Sequence, residues 1–189
     1  MLTERYPAAE LSQLLLPAAE WRPLPTARER APWEDLPEPV RRAHIACAEE
    51  ALTTPWEVLP ASLFMEFARD GNRSNYERAR GGRRSRLADL VVGECMEGRG
   101  RFLDAIMDGI WLTCEETYWG VPAHLHAQRA GRGLPDAAEP TVDLFAGETV
   151  SLLAWTLYLL QEELHSVSSL LPARIRLEAQ QRVLGPCLE

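Results

Sequence analysis

Between Glu115 and His124 the sequence reads EETYWGVPAH, which sets two carboxylates, two aromatic rings and an imidazole around a turn made by Gly120 and Pro122. Loops held by a rigid scaffold are where binding groups concentrate. Tyr118 and Trp119 have flat faces that can stack on a sugar ring, and Glu116 and His124 can bond to hydroxyls. The same residues also suit a structural end, with the aromatics capping a core and the carboxylates solvated or paired with arginine. On the residues alone both readings stay open.

Other clusters carry less chemistry. His124 and His126 form an HxH pair, a zinc-chelating spacing on a strand, but no Cys, Asp or second His cluster lies near it, so neither metal nor cofactor is expected. His44 and His165 fall on helices as surface or satisfied core residues. Arg78, Arg80, Arg83, Arg84 and Arg86 crowd around Gly81-Gly82. Such a cluster could guide an anionic polymer, or it could be a solvated helix start, although cations there oppose the helix dipole. Gly71 to Asn75 reads as a helix-stop turn that presents Arg73 as a candidate substrate contact. Glu66 and Glu148, polar residues in apolar helices, are expected to make buried bonds. There is no G-x-S-x-G, HExxH or phosphate-binding loop.

The whole chain bounds these options. Its 189 residues are 46% hydrophobic and 25% charged, the balance of a globular protein, and the net charge of −8 disfavours nucleic acid and anionic membranes as partners. All 20 basic residues are arginine, which codon usage in a GC-rich genome would explain. No signal peptide is visible, and the most apolar run, residues 150–160, is short of a membrane span. Cys47, Cys95, Cys114 and Cys187 form no CxxC pair and read as buried or free thiols in a reducing, cytoplasmic compartment.

The elements that must position these residues are helical. Residues 1–37 are expected to be a Pro-rich arm with one short helix near Ala8 to Leu16, pinned by Trp21, Trp33 and Leu36. Residues 38–189 are expected to form an α-helical domain. Its helices are read as 39–53, with Val40, Ala43, Ala46/Cys47 and Ala51 on one face, then 63–69, 82–97, 101–118, 143–163 and 168–184. The 143–163 helix is apolar almost all round and should be buried. Successive helical hairpins with no strand suggest a solenoid or toroid, and no tetratricopeptide or ankyrin consensus recurs.

Four segments in order, LPASLFMEFARDGNR (59–73), GRGRFLDAIMDGIW (98–111), CEETYWGVPAH (114–124) and VDLFAGETVSLLAW (142–155), resemble the heparinase II/III-like family of polysaccharide lyases. The resemblance implies an all-α fold of helical hairpins that form part of an (α/α) toroid, here an incomplete ring. It also implies β-elimination on acidic, uronic-acid-containing glycans, with an acidic polysaccharide or oligosaccharide as partner. The family's catalytic Asn or His, Tyr and later His belong to helices and a β region beyond Glu189, so no catalytic residue is carried over. What the resemblance assigns is a cleft wall, with Glu116, Tyr118, Trp119, His124 and Arg73 as substrate-binding candidates.

Two other readings remain. A non-catalytic helical piece could self-associate or complete a ring with another chain, and an exposed apolar face on the last two helices would favour it. A glycoside hydrolase needs two carboxylates flanking a cleft, and the adjacent Glu115 and Glu116 make a poor pair.

Overall fold

Proline sets the helix starts in the first third of the chain. Pro7 precedes α1 (Ala8–Leu14), Pro32 lies in the first turn of α2 (Arg30–Glu34), Pro37 precedes α3 (Glu38–Thr53), and Pro60 precedes α4 (Ala61–Phe64). Each sits where a missing N–H costs nothing. After α5 (Glu66–Asp70) the chain turns through Gly71, whose φ of 80° suits a residue without a Cβ. A computed structural model describes residues 5–17 and 20–188, and among the described residues there are helices and loops but no strand.

The longest helix, α6 (Ser74–Glu97), organises the rest. Arg41 meets the Met96 carbonyl, Ala48 meets Gly93, and Trp56 lies on Arg86, so α3 and the segment after it run antiparallel to α6. At the crossing, a Cβ on Gly93 would sit 2.2 Å from that of Ala48. The buried face of α3 is therefore set by Ala48 and Ala51, with Ile45 half-buried, whereas Val40, Ala43, Ala46 and Cys47 face solvent. The expected face is rotated because small-on-small contact with Gly93 decides the packing.

Gly98 turns the chain out of α6 in the left-handed region, and Arg30 and Arg41 donate to the last carbonyls of α6, where the helix dipole favours cations. Buried Glu94 accepts from the Gly100 and Phe102 amides and ties this turn to α7 (Leu103–Cys114). α7 runs back along α6, with Gly109 beside Leu87 and Phe102 beside Gly93. A short 3-10 turn (Pro122–Ala127) and a long loop lead to α8 (Leu144–Leu159), α9 (Gln161–Val167), α10 (Leu170–Ala179), a π turn (Gln180–Leu184) and α11 (Gly185–Leu188). Leu87, Leu90, Val91, Phe102, Ile106, Ile110, Leu153, Leu160, Leu164, Leu171 and Ile175 make the core.

Several boundaries differ from the sequence reading. The expected 63–69 helix divides at Met65 into α4 and α5, and the last helix is interrupted by the π turn. The 143–163 helix breaks at Leu160, and α8 and α9 meet at 85°. α8 is buried only along Ala146, Thr149, Leu153, Thr156 and Leu159, while Leu144 and Trp155 are exposed. Glu148 is also exposed and makes no buried bond, whereas half-buried Glu66 accepts from Asn75 Nδ2 at 2.8 Å. Among the described residues no single helix is long and apolar enough to cross a membrane.

The arm lies along the far side of α8. Trp21 packs against Trp155 and Tyr158, the Tyr158 hydroxyl donates to the Leu24 carbonyl, and the Trp33 indole N–H donates to the Thr26 carbonyl. Leu36 is half-buried, and α2 is a second short helix that the proline spacing did not suggest.

Candidate functional site: two cavities beside a loop held by arginines

The floor of the site is a row of arginines. α6 begins at Ser74, so Gly81-Gly82 lies inside the helix and the cluster is mid-helix instead of a solvated start. Its buried face runs Tyr76, Arg80, Arg83/Arg84, Leu87, Leu90/Val91 and Glu94, the 3–4 spacing of an apolar stripe with arginine in core positions. Gly82 permits this, because a Cβ there would meet the Glu57 carboxylate at 2.2 Å. Arg78, on another face, is exposed and donates to Asn75 Oδ1.

The guanidinium groups hold the segments around Glu57, Glu116 and Phe145. Arg80 donates to the carbonyls of Trp119 (3.0 Å) and Phe145 (2.5 Å) and to Thr149 Oγ1 (2.7 Å). Arg83 donates to the Glu57 carbonyl (2.6 Å) and to Glu116 Oε1 (3.1 Å). Arg84 forks onto both Glu116 oxygens, at 2.5 and 2.6 Å. Arg182, from the π turn, donates to the carbonyls of Glu116 and Cys114 and to Glu178. Arg86 stacks on the Trp56 ring at 3.9 Å. Planar forks that bond carboxylates and carbonyls together are what arginine supplies and lysine does not. Burial, and then the neighbouring Arg84 charge, push Arg80 down to about 10, still protonated at neutral pH.

The five candidates separate on this floor. Glu116 is 7% exposed and its carboxylate is committed to Arg83 and Arg84. Trp119 is 2% exposed, its N–H donates to the Thr113 carbonyl at 2.8 Å, and Arg182 lies over its ring, so it lines the first cavity as a buried wall. Tyr118 lies between two cavities and lines both. His124 bonds through Nδ1 to Asp143 at 2.8 Å, which fixes the proton on Nδ1 or makes the pair ionic. Asp143 also caps α8 through Ala146 N and accepts from Val121 N. Arg73 is exposed, paired with Glu77 at the start of α6, and lines neither cavity. The structure thus brings Glu116, Tyr118 and Trp119 together and leaves Arg73 apart.

The first cavity, about 280 Å³, lies between Thr117–Trp119, the loop Asp136–Thr141, the start of α8 and the π turn. Asp136, Glu139, Glu178, Gln181, Thr117 and Thr141 give it polar walls. The loop is clamped by buried Gln128, whose amide donates to the Asp136 and Glu139 carbonyls and accepts from Asp136 N. The second cavity, about 200 Å³, lies on the other side of Tyr118 among Leu59, Pro60, Phe64, Leu134 and Pro135, with Tyr76 and Glu116. Burial pushes the Tyr118 phenol up to about 12, helped by the Asp143 charge. Tyr76 also rises to about 12, from burial and then Glu116.

The sequence reading singled out Tyr118 but not Asp136, Glu139, Gln181 or Gln128. The arginine role was marked by its register with Leu87 and Val91, a signal that the glycine pair concealed. Among the described residues no group of three or more His, Cys, Asp or Glu side chains could hold a metal ion, and exposed His126 bonds only to the Ala123 carbonyl. No protein-family model matches the chain, and no curated protein matches it.

Proposed function

We propose that this chain is a glycan-binding wall of a heparinase II/III-like polysaccharide lyase, the opening half of an (α/α) toroid, with an acidic, uronic-acid-containing glycan as its ligand. The antiparallel succession α3, α6 and α7 supports the toroid reading, since such rings are built from consecutive hairpins. The observation that carries the binding role is the polar cavity beside Tyr118, where Asp136, Thr117, Thr141 and Gln181 share the walls with a clamped loop. These groups bond sugar hydroxyls, and Tyr118 supplies a ring for a sugar face.

The chemistry that accompanies binding is limited by charge. Glu139 is paired with Arg129, Glu178 with Arg174 and Arg182, and the Arg182 donors are committed, so this cavity takes hydroxyls and leaves the uronate carboxylate to other groups. The chain on its own is therefore expected to bind without eliminating.

A titration with a uronic-acid oligosaccharide and its carboxyl-reduced counterpart, followed by protein NMR, tests this. Both should bind weakly, with shifts around Asp136–Thr141 and Gln181, and Gln181→Ala should weaken both. Absence of saturable binding by either would overturn the reading. Incubation with the polymer should give no rise in unsaturated-uronate absorbance.

One observation favours a second reading, self-association. Leu170 (71% exposed), Leu177, Leu184 and Leu188 form an exposed apolar row along the last helices. Concentration-dependent dimerisation in sedimentation, abolished by Leu177→Glu, would support it.

A further inference from the structure

We propose that the exposed leucine row of the last helices pairs with the same row of a second copy of this chain, side by side and running in the same direction. The proposal rests on the self-association reading above and adds to it the occupant of the face and the register in which it sits.

Leu170, Leu177 and Leu184 recur every seven residues along the run of α10, the π turn and α11, and all three are exposed, Leu170 at 71%. Ala173, Gln180 and Cys187 lie exposed between them at spacings of three and four. Leu171, Ile175 and Val183 face the core, so the run carries an apolar stripe on two sides. One stripe is buried within this chain. The other has the seven-residue repeat by which one helix takes the side chains of a second between its own.

Charge selects a second copy. The chain carries −8 overall, so surfaces that display its carboxylates repel another copy. Between Leu170 and Leu188 the only carboxylate is Glu178, which is buried and paired with Arg174 and Arg182. Two copies can therefore close on this face without bringing carboxylates together. Arg176 is the one exposed charge of the run, and a single arginine gives an anionic bilayer only about 1 kcal/mol.

The polar residues fix the direction. In the same direction and in register, each leucine meets its own copy and Gln180 meets Gln180, whose amide both donates and accepts and is satisfied by its twin. Arg176 and Gln181, five residues apart on the two flanks, then come together across the pair, guanidinium to amide oxygen. In the opposite direction at full overlap, Leu177 would face Gln180 twice, and each buried amide would have hydrocarbon opposite it.

The test takes the whole chain with its exposed cysteines removed, Cys47→Ser and Cys187→Ser, and adds Leu170→Cys, Leu177→Cys or Leu184→Cys one at a time. Oxidised glutathione converts two facing thiols to a disulfide and is itself reduced, and gel electrophoresis reads the covalent dimer. All three variants should form it. A covalent dimer in Leu177→Cys alone, at the middle of the run, means the opposite direction and overturns the proposal while self-association stands. In sedimentation, Gln180→Glu should weaken dimerisation at least tenfold at neutral pH, because two carboxylates then face each other, and acidification should restore it. An unchanged dissociation constant would put Gln180 outside the seam and overturn the register. A chain that stays monomeric at millimolar concentration overturns both this proposal and the reading it rests on, whether or not it binds anionic phospholipid vesicles.

Discussion

Thr117 and Tyr118 have a cavity on either side, and the two are lined by opposite kinds of residue. On one side the loop 136–141 and the π turn bring carboxylates, hydroxyls and an amide. On the other, the segment 59–64 brings leucine, proline and phenylalanine. A single loop contributes to both, with Leu134 and Pro135 turned to the apolar space and Asp136 to Thr141 turned to the polar one. The division of labour is physical. The arginines of α6 fix where the Glu116–Trp119 segment lies, and the covering loops, free of that duty, set what each cavity accepts.

The sharpest way to break the comparison is to remove the part both cavities share. Glu116→Ala strips from Arg83 and Arg84 the only carboxylate they pair with among the described residues and leaves the guanidinium groups buried without that counter-charge. We expect a loss of about 3–5 kcal/mol in urea unfolding and loss of oligosaccharide binding. A cost below about 1 kcal/mol would show that the ion pair does not hold the loop.

Asp143→Ala should act on one side more than the other. It removes the acceptor of Val121 N, the partner of His124 and the cap of α8, whose Ala146 lines the polar cavity. The expected cost is about 1–2 kcal/mol. Oligosaccharide binding should weaken, and unchanged affinity would show that this cap does not position the polar cavity.

These two variants also mark what could be read in advance. The helical class followed from the 3–4 spacing of Phe102, Ile106, Ile110 and Cys114, because apolar periodicity is local and survives in any helical packing. Loop 115–124 was legible as special from its composition. Its internal roles were not, because Glu116 and Trp119 look alike as ligands or as scaffold until their partners are known. Those partners, Arg84 and Thr113, are fixed by tertiary contact. The arginine face was hidden for a different reason. Gly81-Gly82 costs helix stability at about 1 kcal/mol per glycine, so propensity argued for a break. Packing against Glu57 and the guanidinium bonds to the Trp119 and Phe145 carbonyls offset that cost.

Tyr118 separates the cavities more finely. Among the described residues its hydroxyl has no partner, so Tyr118→Phe should raise stability by up to about 1 kcal/mol, read as a higher urea midpoint. A fall in the midpoint would mean that the hydroxyl is satisfied. Alkaline titration gives the matching test. Both Tyr76 and Tyr118 are raised from 10 to about 12, so the stability they contribute is complete below pH 10 and is lost as the pH rises through 12. Arg80, lowered to about 10, works in the opposite sense, which is why the tyrosinate absorbance and not the unfolding curve alone is the measurement. Two late-titrating phenols are expected, and one should vanish in Tyr118→Phe.

The smallest effect belongs to Arg73. It lines neither cavity, its side chain is about half exposed, and it pairs with Glu77 one turn along α6 at 2.7 Å. Such an i,i+4 pair contributes about 0.3–0.5 kcal/mol, and it falls further in salt. Arg73→Ala should therefore shift the urea midpoint only slightly. Its effect on the oligosaccharide titration tests how far the proposed glycan surface extends. If affinity holds, recognition is confined to the polar cavity and its clamped loop. If affinity falls severalfold and the fall disappears at high salt, the glycan runs past the cavity to the start of α6, where Arg73 meets it as an exposed charge. That outcome would join the two ends of the site through the uronate carboxylate, the one ligand group for which the polar cavity offers only Arg182, whose donors are already committed.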